Sequence, residues 1–234
     1  CLQSRSKEDH HTRQTYDKRP VLQMDYGFMV CKHTGDQLPV LTCLDCTTSG
    51  ATASIVPHKG VNDYAQAELR RFILEWARND AVLQTDQENS IMALARAVAT
   101  SINIALRQAP KYSSESQGSV ERFHSTLWAM VRTLLLVVRT NYGVELRMTD
   151  DLVTWAVKHA VWLYNRYQVH SDGQTSYARR WGKHYSRPIV TWAETIMFRR
   201  PGPPTTKTDI WWDYGIWVGK CTNSEEHFVL TLSL

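Results

Sequence analysis

Three acidic residues occupy positions in predicted strands and helices at which their carboxylates could do chemistry. Asp25 interrupts the apolar run VLQMDYGFMV, which predicts a central strand, and burial of a lone carboxylate there is costly unless a cation or strong donors meet it. Asp86 ends a short predicted strand at 81–85, and Glu121 lies in the first turn of a long predicted helix. Each acid also has an ordinary interpretation: a salt-bridged strand aspartate, a helix N-cap and a surface glutamate favoured by the helix dipole.

Taken together, the three acids predict a metal site. An acid in mid-strand, one at the end of a neighbouring strand and one in the first turn of a helix can converge on a single point. Clustered carboxylates repel one another unless divalent cations lie among them, and Mg²⁺ or Mn²⁺ prefers such oxygen ligands. Two ions about 4 Å apart can activate an attacking oxygen and stabilise a leaving one. The pattern favours phosphodiester chemistry with two ions, in which Asp25, Asp86 and Glu121 are both catalytic residues and metal ligands.

Hydrophobic patterning predicts the elements that position these acids. Three strands joined by short turns form an antiparallel meander, and a helix, a short strand and further helices follow it. This succession is typical of an α/β fold with a mixed sheet. The predicted strands are 21–31, 38–46, 51–57, 81–85, 210–220 and 227–232. The first predicted helix begins at residue 62 or 63 and ends at residue 77, and the others are 88–98, 119–139 and 150–167.

Composition limits the class of protein. The chain has 234 residues, of which 43% are hydrophobic and 21% charged, so it can form a core and wholesale disorder is excluded. No apolar run approaches the about 20 residues of a membrane span, and no membrane partner is expected. The five cysteines are an odd number, which favours structural thiols in a reducing intracellular compartment over a disulfide framework.

A basic and aromatic stretch between residues 178 and 200 is a candidate for nucleic-acid contact. It carries six basic residues against one acid, Glu194, with aromatic residues between them. Such a mixture suits a phosphate backbone with unstacked bases nearby, whereas the ordinary interpretation is a solvated connector whose aromatic rings pack on the core. The predicted DNA contacts in this stretch are Arg179, Arg180, Lys183 and Arg187.

The order and context of the three acids, with 34 residues between Asp86 and Glu121, resemble the DDE triad of retroviral and retrotransposon integrases. The most specific stretch is 111–127, KYSSESQGSVERFHSTL, which is similar to the family's loop-and-helix pattern Q-x-G-x-V-E. Around Asp86 the chain resembles the element T-D-N-G, with Gln87 and Glu88 in place of asparagine and glycine. The resemblance covers about residues 20–170. It implies a ribonuclease-H-like fold, a mixed five-stranded sheet flanked by helices, whose fifth strand would come from about 101–106.

The flanking segments resemble copia-type polyproteins of long-terminal-repeat retrotransposons. GIWVG at 215–219 and GQTSY at 173–177 are similar to elements beside those cores, and Cys1 resembles the last ligand of a His-His-Cys-Cys zinc module. We therefore expect a segment of a longer polyprotein with four parts. These are an extended remnant of an N-terminal zinc module at 1–19, a catalytic core at 20–177, a basic and aromatic connector at 178–209, and the start of a small β-rich C-terminal module at 210–234.

The resemblance implies an integrase that processes the 3′ ends of element DNA and joins them to target DNA. It implies a homo-oligomer that acts in the nucleus, with both DNAs as partners, and it places Lys111, Gln117 and His124 on DNA. Two alternatives stay open. One is a ribonuclease-H-like nuclease, which usually carries a fourth carboxylate. The other is a catalytically inactive, domesticated integrase that acts as a DNA-binding or architectural protein.

Overall fold

The computed structural model describes residues 19–30, 35, 37–109, 118–202, 206, 208 and 210–231. In that part of the chain, a five-stranded sheet has the order β3-β2-β1-β4-β5. Its first three strands are antiparallel neighbours, whereas β1, β4 and β5 run parallel. The strands are β1 (Val21–Val30), β2 (Gln37–Asp45), β3 (Ala51–Ile55), β4 (Val82–Thr85) and β5 (Ala105–Gln108).

Helices cover both faces of this sheet, which confirms the predicted fold class. Side chains of α1 and α2 share one core cluster with Leu22, Met24 and Tyr26 of β1, while α3 and α4 pack on the opposite face. No helix in the described ranges is long and apolar enough to cross a membrane. The helices are α1 (Asp63–Glu75), α2 (Asn89–Ile102), α3 (Gly118–Tyr142), α4 (Asp151–Tyr167) and α5 (Ser176–Trp181).

The boundary between α2 and β5 differs from the sequence expectation. The sequence predicts that the helix ends at residue 98 and that the fifth strand comes from about 101–106, but α2 continues to Ile102 and β5 begins at Ala105. The apolar stripe of α2 continues through Ala99 to Ile102, which packs on the same cluster. Asn103 then adopts a left-handed conformation with φ 53°, a common way to end a helix. The fifth strand therefore exists, a few residues later than expected.

A second, three-stranded antiparallel sheet with the order β6-β7-β8 lies in the C-terminal part. Its strands are β6 (Thr195–Arg199), β7 (Trp212–Lys220) and β8 (His227–Leu230). Both α5 and β6 contain residues of the segment 178–209, which the sequence predicts to be a connector. Basic residues at the end of the short alternating run TIMFR and directly after it obscure the strand in the sequence. Trp217 of β7 is completely buried in the cluster formed by α3 and α4, so this sheet packs on the core.

Candidate active site

The register of the two central parallel strands brings the first two acids together. Gln23 of β1 lies beside Gln84 of β4, and continuing this register by two residues places Asp25 beside Asp86. Asp25 is half-buried in the middle of β1, and Asp86 is half-buried directly after β4. Both acids are therefore at the carboxyl edge of the parallel strands, where α/β sheets place ligand-binding groups.

The first turn of α3 is held against β1, and it carries Glu121. The backbone N–H of Val120 donates to Oε1 of the buried Gln23 at 3.3 Å. Close packing continues at Gly27, where a Cβ atom would lie 2.6 Å from the ring of Trp128. The space that glycine leaves beside Asp25 is thus filled by an aromatic ring of α3. A side chain at Gly27 would push α3 away from the strand and Glu121 away from Asp25.

The electrostatics of Asp25 reflect the two other predicted site acids. Burial raises the pKa of Asp25 from 3.8 to about 6, although the backbone N–H of Tyr26 donates to Oδ1 at 2.7 Å and lowers it. The negative charges of Asp86, Glu121 and Glu88 raise the pKa of Asp25 further. The fold therefore brings Asp25, Asp86 and Glu121 within electrostatic range, and it adds a fourth carboxylate, Glu88.

The donor set suits a hard divalent cation. All the acids around Asp25 offer carboxylate oxygens, which Mg²⁺ and Mn²⁺ prefer, and no basic side chain of the described residues lowers the pKa of Asp25. In the same ranges, however, no three His, Cys, Asp or Glu side chains are gathered closely enough to hold an ion as they stand. That Asp25, Asp86 and Glu121 share metal ions therefore stays a prediction.

His124, a predicted DNA contact, is half-buried next to the sheet, and its ring contacts the side chain of Thr42. Its Nε2 lies 2.7 Å from Oγ1 of Thr42, which donates to the backbone oxygen of Asp25 at 2.9 Å. Because the hydroxyl has one proton to donate, Nε2 must carry its own proton and donate to Thr42. Burial lowers the pKa of His124 to about 4, so the ring is neutral at physiological pH. The pair supports the backbone at Asp25; the DNA contact of His124 stays a prediction.

The ordinary interpretation of Asp86, that it is a helix N-cap, does not hold at the turn between β4 and α2. Glu88, not Asp86, occupies the N-cap position of α2, and its backbone N–H donates to Oδ1 of Asp86 at 3.1 Å. The Glu88 carboxylate forms an ion pair with Lys59 at 2.7 Å. Sequence reasoning did not select Lys59 or Glu88 as site residues. Their contact joins two loops that are separate in the sequence, so no local sequence pattern predicts it.

The structure divides the four predicted DNA contacts after residue 178 into two pairs. Arg179 donates to Asp172 at 2.7 and 2.9 Å and to Oγ of Ser49 at 2.7 Å, which ties α5 to the turn between β2 and β3. Arg180 donates to the backbone oxygen of Glu75 at 3.3 Å. The side chains of Lys183 and Arg187 are exposed. The other two predicted contacts, Lys111 and Gln117, lie outside the described residues.

We expect the double variant Lys183→Ala/Arg187→Ala to weaken binding to duplex DNA without changing the melting temperature. Log affinity falls as log salt rises, and each lost phosphate contact should make this fall shallower by about 0.9. Two lost contacts should therefore make it shallower by about 1.8. Fluorescence anisotropy at several salt concentrations measures this slope. Arg179→Met is measured for comparison, and it should lower the melting temperature because it breaks the contact between α5 and the turn. An unchanged slope in the double variant would mean that the two side chains are merely solvated.

No family model matches the chain. Over 162 residues, which are 64% of this chain, it is 29% identical to the retrovirus-related Pol polyprotein from transposon gypsy of Drosophila melanogaster. The match covers 16% of that polyprotein, so the chain spans about a sixth of the length of this curated relative.

Solved structures share the fold at low sequence identity. The HTLV-2 integrase catalytic core domain in complex with magnesium superposes with a TM-score of 0.50 at 16% identity, over 68% of this chain and 95% of that one. A chain of the simian T-cell lymphotropic virus intasome in complex with the PP2A regulatory subunit B56 gamma superposes with a TM-score of 0.54 at 14% identity, over 90% of this chain and 75% of that one. The fold is that of retroviral integrase catalytic cores, and a retrotransposon Pol polyprotein is a homologue.

Proposed function

We propose that this chain is the DNA-joining core of a retrotransposon integrase, a polynucleotidyl transferase that cleaves element DNA near its 3′ ends and joins them to target DNA. The observation that carries the proposal is the effect of Asp86 and Glu121 on Asp25, within a fold that is that of integrase cores. Burial and the charges of Asp86 and Glu121 raise the pKa of Asp25, as expected of acids arranged for a divalent cation.

The residues have separate roles in this proposal. Asp25 and Asp86 would hold one Mg²⁺ or Mn²⁺ ion, and Asp25 and Glu121 would hold the other. When bound, the two ions would activate the attacking oxygen and neutralise charge on the reacting phosphate. Gln23 fixes the first turn of α3, and Thr42 with His124 fixes the backbone of Asp25, so the protein supplies position and electrostatics without a covalent intermediate.

The partners follow from the same proposal. Element-end DNA and target DNA would be the substrates, a homo-oligomer would hold both, and the nucleus would be the site of integration. The HTLV-2 core whose fold this chain shares was solved in a trimeric form, which supports an oligomer. The branch of the element also stays a prediction. The segment at 215–219 resembles copia-type polyproteins, whereas the curated relative comes from transposon gypsy.

A strand-transfer assay with labelled oligonucleotides tests the proposal. With Mg²⁺ we expect both a shortened element end and a longer joined product, and a chelator should abolish both. Cleavage without joining would favour a ribonuclease-H-like nuclease, and one observation supports that alternative: Glu88 adds a fourth carboxylate that acts on Asp25. DNA binding without any cleavage would favour an inactive, domesticated integrase.

A further inference from the structure

The loop between β3 and α1 holds a lysine at the edge of the candidate active site. Lys59 Nζ donates to both carboxylate oxygens of Glu88 at 2.7 Å, and Ser90 Oγ donates to the same carboxylate. Glu88 in turn donates its backbone N–H to Oδ1 of Asp86 at 3.1 Å. Glu88 therefore contacts Lys59 through its side chain and Asp86, at the carboxyl edge of β4, through its backbone.

Strand β1 holds the same lysine from a second side. The ammonium group lies 4.9 Å from the ring centre of Phe28 and 5.5 Å from that of Tyr26, a favourable cation–π arrangement. The hydroxyl of Tyr26 accepts a hydrogen bond from the backbone N–H of Gly60 at 3.0 Å, which pins the loop next to the lysine. Tyr26 directly follows Asp25 on β1, so its ring points to the opposite face of the sheet from the Asp25 carboxylate, and Lys59 approaches the site edge from the face covered by α1 and α2. The position of Lys59 is thus fixed relative to the strand that carries Asp25 and to the turn that carries Asp86.

The exposure of the pair argues against a purely structural role. The Lys59 side chain is 31% exposed and the Glu88 side chain is 40% exposed, and an ion pair this accessible stabilises a fold only weakly. Both oxygens of the Glu88 carboxylate accept hydrogen bonds from the ammonium group of Lys59, and two oxygens of a phosphodiester could accept the same bonds. Such a pair can exchange the carboxylate for a phosphate when DNA arrives.

We infer that Lys59 binds a backbone phosphate of the DNA next to the reacting phosphodiester, and that Glu88 is a positioning residue that holds the ammonium group there until DNA binds. The inference rests on the proposed function, since it needs DNA at the edge formed by Asp25 and Asp86. Glu88 competes with the phosphate for Lys59 and repels it. The two residues therefore have opposite effects on DNA affinity.

Opposite effects allow a test that does not depend on catalysis. Binding of a fluorescent duplex is measured by anisotropy without divalent metal, at several salt concentrations, for Lys59→Met, Lys59→Arg and Glu88→Gln. We expect Lys59→Met to weaken binding about threefold to tenfold and to lower the salt slope by about 0.9, the value of one phosphate contact. Lys59→Arg should keep both the affinity and the slope. Glu88→Gln should bind DNA more tightly than the wild type, because the ammonium group is released and a repulsive charge is removed.

The control is another lysine with the same kinds of neighbours. Lys158 on α4 lies 3.5 Å from Glu68 and 5.3 Å from the ring centre of Tyr64, so Lys158→Met removes an equivalent ion pair and cation–π contact elsewhere. It should leave the salt slope unchanged. If Lys59→Met and Glu88→Gln change DNA affinity in the same direction, or not at all, while the wild type binds DNA, the inference on Lys59 is wrong and the proposed function stands. A wild-type chain with no affinity for duplex DNA would overturn both.

Discussion

Asp25→Asn is expected to abolish Mg²⁺-dependent cleavage and strand transfer while leaving the fold intact. The substitution keeps the side-chain volume but removes the one charge that both proposed ions share. Metal ions supply several kcal/mol of transition-state stabilisation, so we expect activity to fall by about a thousandfold or more. Quantified oligonucleotide products measure the activity, and circular dichroism checks the fold.

The matched control is Asp151→Asn, which makes the same change at an exposed acid in the first turn of α4. It should keep wild-type activity, since Asp151 lies on a different element from the three acids. If Asp25→Asn retained near-normal activity with Mg²⁺, then Asp25 would not be a metal ligand and the role proposed for the three acids would be wrong.

The same substitution should stabilise the metal-free protein, and the pH dependence follows from the pKa of Asp25. Because burial and neighbouring acids raise this pKa from 3.8 to about 6, the folded chain binds the proton more tightly than the unfolded chain does. Wild-type stability therefore falls as pH rises from about 4 through about 6, by about 3 kcal/mol in the free energy of unfolding. The asparagine variant has no such loss, because its amide does not titrate. It should melt higher than the wild type at about pH 8 and equally at about pH 3.5, and Mg²⁺ should stabilise only the wild type.

Trp217→Ala is expected to cause the largest loss of stability among these variants. The Trp217 ring is fully buried between β7 and α4, it meets the ring of His159 edge-on with 5.2 Å between centres, and its Nε1 donates to His227 at 2.8 Å. Removing a buried tryptophan leaves a cavity and costs about 3–5 kcal/mol. For a chain of this size that corresponds to a fall in melting temperature of about 10 °C or more.

The control for this variant lies on the same strand. Trp212 of β7 is 53% exposed, and Trp212→Ala should change the free energy of unfolding by less than about 1 kcal/mol. Thermal unfolding followed by circular dichroism measures both variants. Similar melting temperatures for the two variants would mean that the second sheet does not pack through Trp217 on the core formed with α3 and α4.

Local sequence patterns predicted the fold class and much of its element order. The apolar alternation of β1, the stripe of α3 and the capping residue Asn62 each report their element within a few residues, and the structure contains all three. The same local context marked Asp25, because a charged residue within an apolar strand is costly without a partner. The alternation of apolar residues did not predict β6, because Arg199 and the neighbouring basic residues favoured a connector over a strand.

Contacts between distant residues were decided by the tertiary structure. Thr42 meets His124 across 82 positions of the chain, and Lys59 meets Glu88 across 29. The guanidinium group of Arg179 holds α5 to Ser49, a contact across 130 positions, and the DNA contact of Arg179 stays a prediction. Periodicity and capping depend on neighbours along the chain, and so the sequence by itself determined which acids are anomalous and which elements carry them. How near those acids lie, and which basic residues are left exposed, depends on how the helices pack on the sheet.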